Sequence, residues 1–249
     1  MQAIHSRHRA RRALAHNITF RIFVALAFVL SSLLFTTNRA YAYCSGLSSY
    51  VGRWESGGIQ NVSSGLSGTT GYVQGFNPDP TVSNSTAWYM VTIPGQYTYA
   101  QTGWVRTSNW STYYHYAAWR SGYNDSQHEA IDYVTPTNSH NYGVQEISGG
   151  TSFEFSYNFS AWLDTANLGW YPTQVEAAAE TLNHGDHFPG SASPGPYVEF
   201  WGGTYTIYGL GYSVSLTMYD NNSSTDVVGK TQLSSTAFYV WDKRCSDGG

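Results

Sequence analysis

Gln101 and Glu180 are the two side chains whose types and settings could do chemistry together. Gln101 sits in Tyr99-Ala100-Gln101-Thr102-Gly103-Trp104, an apolar, aromatic stretch of strand character with a nearby glycine that permits close approach. Glu180 lies 79 residues on, in Ala178-Ala179-Glu180-Thr181, ahead of the polar loop Asn183-His184-Gly185-Asp186-His187-Phe188-Pro189-Gly190. A carboxylate can take a proton from water as general base and later return it to a leaving amine. A neutral amide can donate to a developing oxyanion without titrating. Such a pair suits an acidic medium, where a protonated histidine would be a poor base. It requires both side chains on one concave face, within reach of a shared water. The plainer readings are a strand amide bonded to neighbouring backbone and an ordinary solvated acid.

The segments that must position these residues begin after residue 42. Arg7, Arg9, Arg11, Arg12 and Arg21 form a basic region, Ile22 to Phe35 is an apolar run, and Ala40-Tyr41-Ala42 fits a peptidase cleavage site. This is the pattern of a secretory signal peptide over 1–42, with an uncleaved anchor as the alternative. The apolar run is shorter than the ~20 residues of a membrane span. Beyond it the chain carries sixteen acidic and six basic side chains, hence a net charge of −10 with histidine neutral. That balance argues against a nucleic-acid partner and against anionic membranes. A secreted monomer acting on a polypeptide or another extracellular polymer is expected.

Residues 43–249 have the length of one all-β domain. The only cysteines, Cys44 and Cys245, stand near the two ends of that segment. In an oxidising compartment they are expected to pair. Closing so long a loop would contribute roughly 4–5 kcal/mol in the chain-entropy model. Aromatic and β-branched runs broken by Gly, Pro, Asn and Ser predict a single-domain, two-sheet antiparallel β-sandwich of the concanavalin or jelly-roll kind.

Expected strands are Tyr50–Trp54, Tyr72–Phe76, Thr86–Ile93, Tyr97–Thr107, Tyr113–Arg120, His128–Val134, Tyr142–Ile147, Thr151–Ser160, Tyr197–Ile207, Gly211–Tyr219 and Thr236–Asp242. In Phe153-Glu154-Phe155-Ser156-Tyr157 the period of two puts the aromatics inward and Glu154 outward. Val175 to Leu182 is compatible with either strand or helix. Its Ala/Glu content favours a helix, but it is short and lacks a strong cap. Beyond residue 42, N-x-S/T sequons begin at Asn61, Asn84, Asn109, Asn124, Asn158, Asn221 and Asn222, and would matter in a eukaryotic secretory pathway.

Zinc-protease, nucleophile-elbow, P-loop and dinucleotide signatures are missing from the sequence. His184, Asp186 and His187 are metal-ligating types, yet in a Gly/Pro-rich loop they read as polar loop chemistry, and neither metal nor cofactor is expected. A pair drawn from Glu129, Glu146, Glu154, Glu180 and Glu199 could cleave a glycosidic bond, with aromatics stacking on sugar rings.

Tyr99-Ala100-Gln101-Thr102-Gly103, followed by the aromatic segment with Ala118-Trp119, resembles the region around the catalytic glutamine of eqolisin-type glutamic peptidases. The Ala179-Glu180 step resembles the setting of that family's catalytic glutamate, at a similar spacing. The resemblance implies a secreted β-sandwich endopeptidase active in acid, with Gln101 as oxyanion donor and Glu180 as general base and acid. Trp104, Tyr116 and Trp119 would then line the substrate cleft. Gln101-Thr102-Gly103-Trp104, Leu168-Gly169-Trp170-Tyr171-Pro172 and Phe200-Trp201-Gly202-Gly203 also resemble neprosin segments. That family's two glutamates would fall at Gln101 and Thr204, so its chemistry would be lost here. The alternative function is a non-catalytic sandwich that binds carbohydrate or another surface polymer.

Overall fold

The computed structural model describes residues 53–75, 83–136, 139–183, 186, 197–221 and 228–244. Cys44, Cys245, His184, His187 and residues 1–42, expected to be a signal peptide, lie outside them. Every described element is a β-strand. They run β1 (Trp54–Asn61), β2 (Leu66–Gln74), β3 (Asn84–Ile93), β4 (Thr98–Thr107), β5 (Tyr114–Ser121), β6 (His128–Asp132), β7 (Ser139–Glu146) and β8 (Phe153–Tyr157). They continue with β9 (Ser160–Asp164), β10 (Gln174–Thr181), β11 (Val198–Ile207), β12 (Leu210–Ser213), β13 (Thr217–Asp220), β14 (Val228–Ser234) and β15 (Ala237–Asp242). No described helix is long and apolar enough to cross a membrane.

The strands form two antiparallel sheets, ordered β13-β1-β10-β3-β4-β5-β6 and β14-β15-β11-β2-β7-β8-β9, with β12 on β11. This is a β-sandwich. Its core is made by the inward residue of each alternating pair, including Tyr89 and Val91 on β3, Val175 and Ala177 on β10, and Phe153 and Phe155 on β8. Glu154, between the two phenylalanines, is only partly buried, as period two requires.

The segment with helix propensity is a strand, Gln174–Thr181, paired along its length with β1 and β3. Both neighbours take its backbone hydrogen bonds, and its alanines fit a strand crowded on both sides. Tertiary pairing overrides local preference here. The expected strand Gly211–Tyr219 is two strands in different sheets. Val214 and Leu216, both buried, mark the crossing between them. Thr151–Ser160 likewise divides: the chain turns at Asn158-Phe159, both at positive φ, and returns as β9.

Candidate active site

Register decides which residues share the outer face of the seven-stranded sheet. On β4 the core takes Ala100 and Trp104, so Tyr99, Gln101 and Gly103 point outward. On β10 the core takes Val175, Ala177 and Ala179, so Glu176, Ala178 and Glu180 point outward. Gln101 and Glu180 therefore lie on one face, and both line a cleft of about 550 Å³. Tyr116, Met90, Glu55, Glu176 and Arg53 line it too.

Within that face, Gln101 pairs with Met90, and Met90 pairs with Glu176. Glu176 is thus in line with Gln101 across one intervening strand, roughly 10 Å away between Cα atoms at normal strand spacing. Glu180 is four residues further along β10, roughly 14 Å off that line. The cleft unites Gln101 with both glutamates: Glu176 is in line with it by register, though its carboxyl leans toward Tyr219, and the Glu180 charge bears on Tyr116, which Gln101 bonds.

Trp104 and Trp119 stand elsewhere. Trp104 is fully buried in the inter-sheet core, and its indole N–H donates to the Gln74 carbonyl at 3.0 Å. Trp119 packs inward against Phe155 and stacks on His128. Each is three residues from an outward side chain, Gln101 and Tyr116 respectively, and in a strand an odd offset means the opposite face. The cleft-lining role expected of them is corrected on this ground. Tyr116 does line the cleft, and its hydroxyl accepts from Gln101 Nε2 at 2.9 Å. That bond fixes the amide while leaving its second N–H for a ligand.

Around Glu176 and Glu180 the sheet assembles a cluster the sequence did not disclose. Arg53 Nε contacts Glu180 Oε1 at 3.0 Å, and Trp88 Nε1 donates to Glu180 Oε2 at 3.1 Å. Arg53 also pairs with Glu55. The Tyr219 hydroxyl donates to Glu55 and lies 3.5 Å from Glu176 Oε2. Three carboxyls share one guanidinium. Burial, then the Glu55 charge, push Glu176 up to about 8, against the pull of Arg53. Burial also pushes Glu180 up; Arg53 opposes it, Glu55 adds to it, and the Trp88 bond opposes it. The acids hold protons where exposed carboxyls would have lost them.

Asp186, read from sequence as part of a polar loop, is buried and accepts from the Ser83 amide at 2.7 Å. Thr204 lies on β11 in the other sheet, opposite Thr70. The neprosin-like pair Gln101 and Thr204 is therefore divided between two sheets.

No family model matches the sequence, and no curated protein matches it. The fold is similar to two solved structures of scytalido-glutamic peptidase, one with a transition-state analogue inhibitor and one with a peptide-based analogue. Their TM-scores are 0.53 and 0.52, each at 16% identity, covering 77% of this chain and 98% of that one. The CBM2 module of the Lactobacillus casei BL23 phage J-1 evolved Dit matches at TM-score 0.41 and 11% identity, over 63% of this chain and 70% of that one. At 16% identity the likeness to scytalido-glutamic peptidase establishes a shared β-sandwich architecture and leaves the chemistry to the site itself.

Proposed function

We propose that this chain is a secreted, glutamic-peptidase-like hydrolase that cleaves peptide bonds in the cleft of the seven-stranded sheet. The observation that carries the reading is the alignment of Gln101 and Glu176 across Met90 on one face. The Glu176 carboxyl leans toward Tyr219 on β13; swung back over Met90, it would hold a water against the Gln101 amide. Gln101 would donate to the oxyanion, and Glu176 would take the water proton and pass it to the leaving amine. Glu180, held by Arg53 and Trp88, would position the cluster and keep Arg53 over it.

The electrostatics bear on the pH of this activity. A carboxyl raised to about 8 acts as base only in its ionised fraction, which grows about tenfold per pH unit below that value. Hydrolysis should therefore rise from about pH 4 to about pH 8, rather than peak in strong acid as the family resemblance implies.

The test is hydrolysis of a denatured protein across that range by the purified chain, beside Glu176→Gln, Glu180→Gln and Gln101→Ala. The reading expects Glu176→Gln and Gln101→Ala to lose about 10²–10³-fold each, and Glu180→Gln to lose much less. Loss confined to Glu180→Gln would return the base to Glu180. Full activity in all three folded variants would place the chemistry elsewhere. A second reading, a binding face without catalysis, draws on the extent to which the cluster satisfies itself: Gln101 is bonded to Tyr116, and the carboxyls to Arg53, Tyr219 and Trp88. Absence of cleavage by the wild type at every pH would favour it.

A further inference from the structure

On the other sheet, the turn joining β11 to β12 holds an aromatic ring in an unusual way. Tyr208 has φ 48° and the following Gly209 φ 81°, the left-handed pair of a tight hairpin turn. Asn-Gly is the sequence that fits such a turn without strain, and tyrosine at its first position is strained. Strain of this kind is kept where the surrounding structure holds it. Here the Tyr208 amide donates to the Gly65 carbonyl at 3.1 Å. The ring lies directly over Gly65, itself at φ 72°, where even a Cβ would collide with it. One ring face is thus packed on backbone, and the side chain is still 80% exposed.

The exposed ring borders a pocket of about 620 Å³ lined also by Tyr171, Ser67, Gln145 and Glu146. Tyr171 is itself well exposed. The Gln145 side chain is fixed at both ends: Nε2 donates to the Ser67 carbonyl and Oε1 accepts from Thr206, each at 2.9 Å. Among the described residues, no lysine, arginine or histidine lines the pocket. It therefore lacks what a phosphate or another anionic ligand needs. It offers an aromatic ring, a second tyrosine, a carboxyl and the Ser67 hydroxyl, which donates to Thr206 and keeps a lone pair for a ligand.

We infer that this pocket is a carbohydrate subsite, in which an uncharged pyranose lies on the open face of Tyr208 and its hydroxyls bond Glu146 and Ser67. The ring's negative π face meets the weakly positive C–H face of the sugar, and the polar groups set its orientation. The site is built on the eight-stranded sheet, so it does not depend on chemistry in the cleft. It would hold the protein on a glycan-bearing surface.

The test is native-gel electrophoresis of the full chain through gels containing a soluble β-glucan, a xylan, a mannan or hydroxyethyl cellulose. The expected result is retardation by at least one polymer, weakened roughly tenfold in Tyr208→Asn. Asparagine suits the turn, so the variant keeps its fold, and an unchanged or higher melting temperature verifies that. Glu146→Gln should weaken the same polymer less. Wild type retarded by none of the four polymers would overturn the inference, and so would Tyr208→Asn retarded as strongly as wild type.

Discussion

The carboxyl cluster of the cleft and a histidine cluster between the sheets respond to pH in opposite senses. The first is the carboxyl cluster on the outer face of the seven-stranded sheet, Glu55, Glu176 and Glu180 around Arg53. The second lies between the sheets. His115 is buried, its Nδ1 is 2.9 Å from the Tyr142 hydroxyl, its ring stacks on Tyr157 and it meets His140 edge-on. The Tyr157 hydroxyl in turn donates to Asp132 at 2.8 Å. Burial, and then His140, hold His115 down to about 4, with Asp132 opposing. Burial disfavours the charged form in both places, so it raises the acids and lowers the base.

The consequences for stability differ in sign. Glu176 has a folded pKa raised above the ordinary 4.5, so its contribution is complete below that value and is lost as pH rises through about 8. His115 has a folded pKa below the ordinary 6.5, so its contribution is complete above that value and is lost as pH falls through about 4. Stability should peak between these limbs, near pH 5–6. A melting temperature that rises steadily toward pH 9 would contradict the account of the carboxyl cluster.

Removing one member of each cluster sharpens the contrast. Glu176→Gln carries the largest expected effect. It should abolish most hydrolysis and also flatten the alkaline limb of the stability curve, because an amide has no proton to lose. Arg53→Met should follow, costing about 2 kcal/mol at pH 8 and less at pH 4, where Glu176 and Glu180 hold their protons. The cost is less than for a fully buried pair, because the Arg53 side chain is 49% exposed. Chemical denaturation at the two pH values measures the difference. His115→Phe should cost about 1 kcal/mol at pH 7 by orphaning the Tyr142 hydroxyl, yet move acid unfolding to lower pH. Tyr157→Phe, which loses one bond to Asp132, should change the same transition by less than about 1 kcal/mol.

The sandwich could be read from the sequence, because alternation and turn residues are local signals. The faces could be read as well. Gln101 and Trp104 differ by three positions, and in a strand that alone separates them. Glu176 and Glu180 differ by four, so sequence puts them on the same face and cannot choose between them. Only the pairing of β10 with β3 sets which of them is in line with Gln101, and it depends on residues about ninety positions apart, such as Met90 and Glu176. Arg53, Glu55 and Tyr219 gave no local sign at all, since they converge from strands near opposite ends of the described chain.

That convergence bears on when the cluster can exist. The bond from Tyr219 to Glu55 spans 164 residues, and β1 finds both its neighbours, β10 and β13, only after most of the chain has been made. Such non-local pairings are slow to form. During synthesis the amide of Gln101 and the hydroxyl of Tyr116 can meet early, whereas the three carboxyls cannot share Arg53 until the polypeptide is nearly complete. A ribosome-bound or truncated product would carry half of the cleft and none of its proton reservoir.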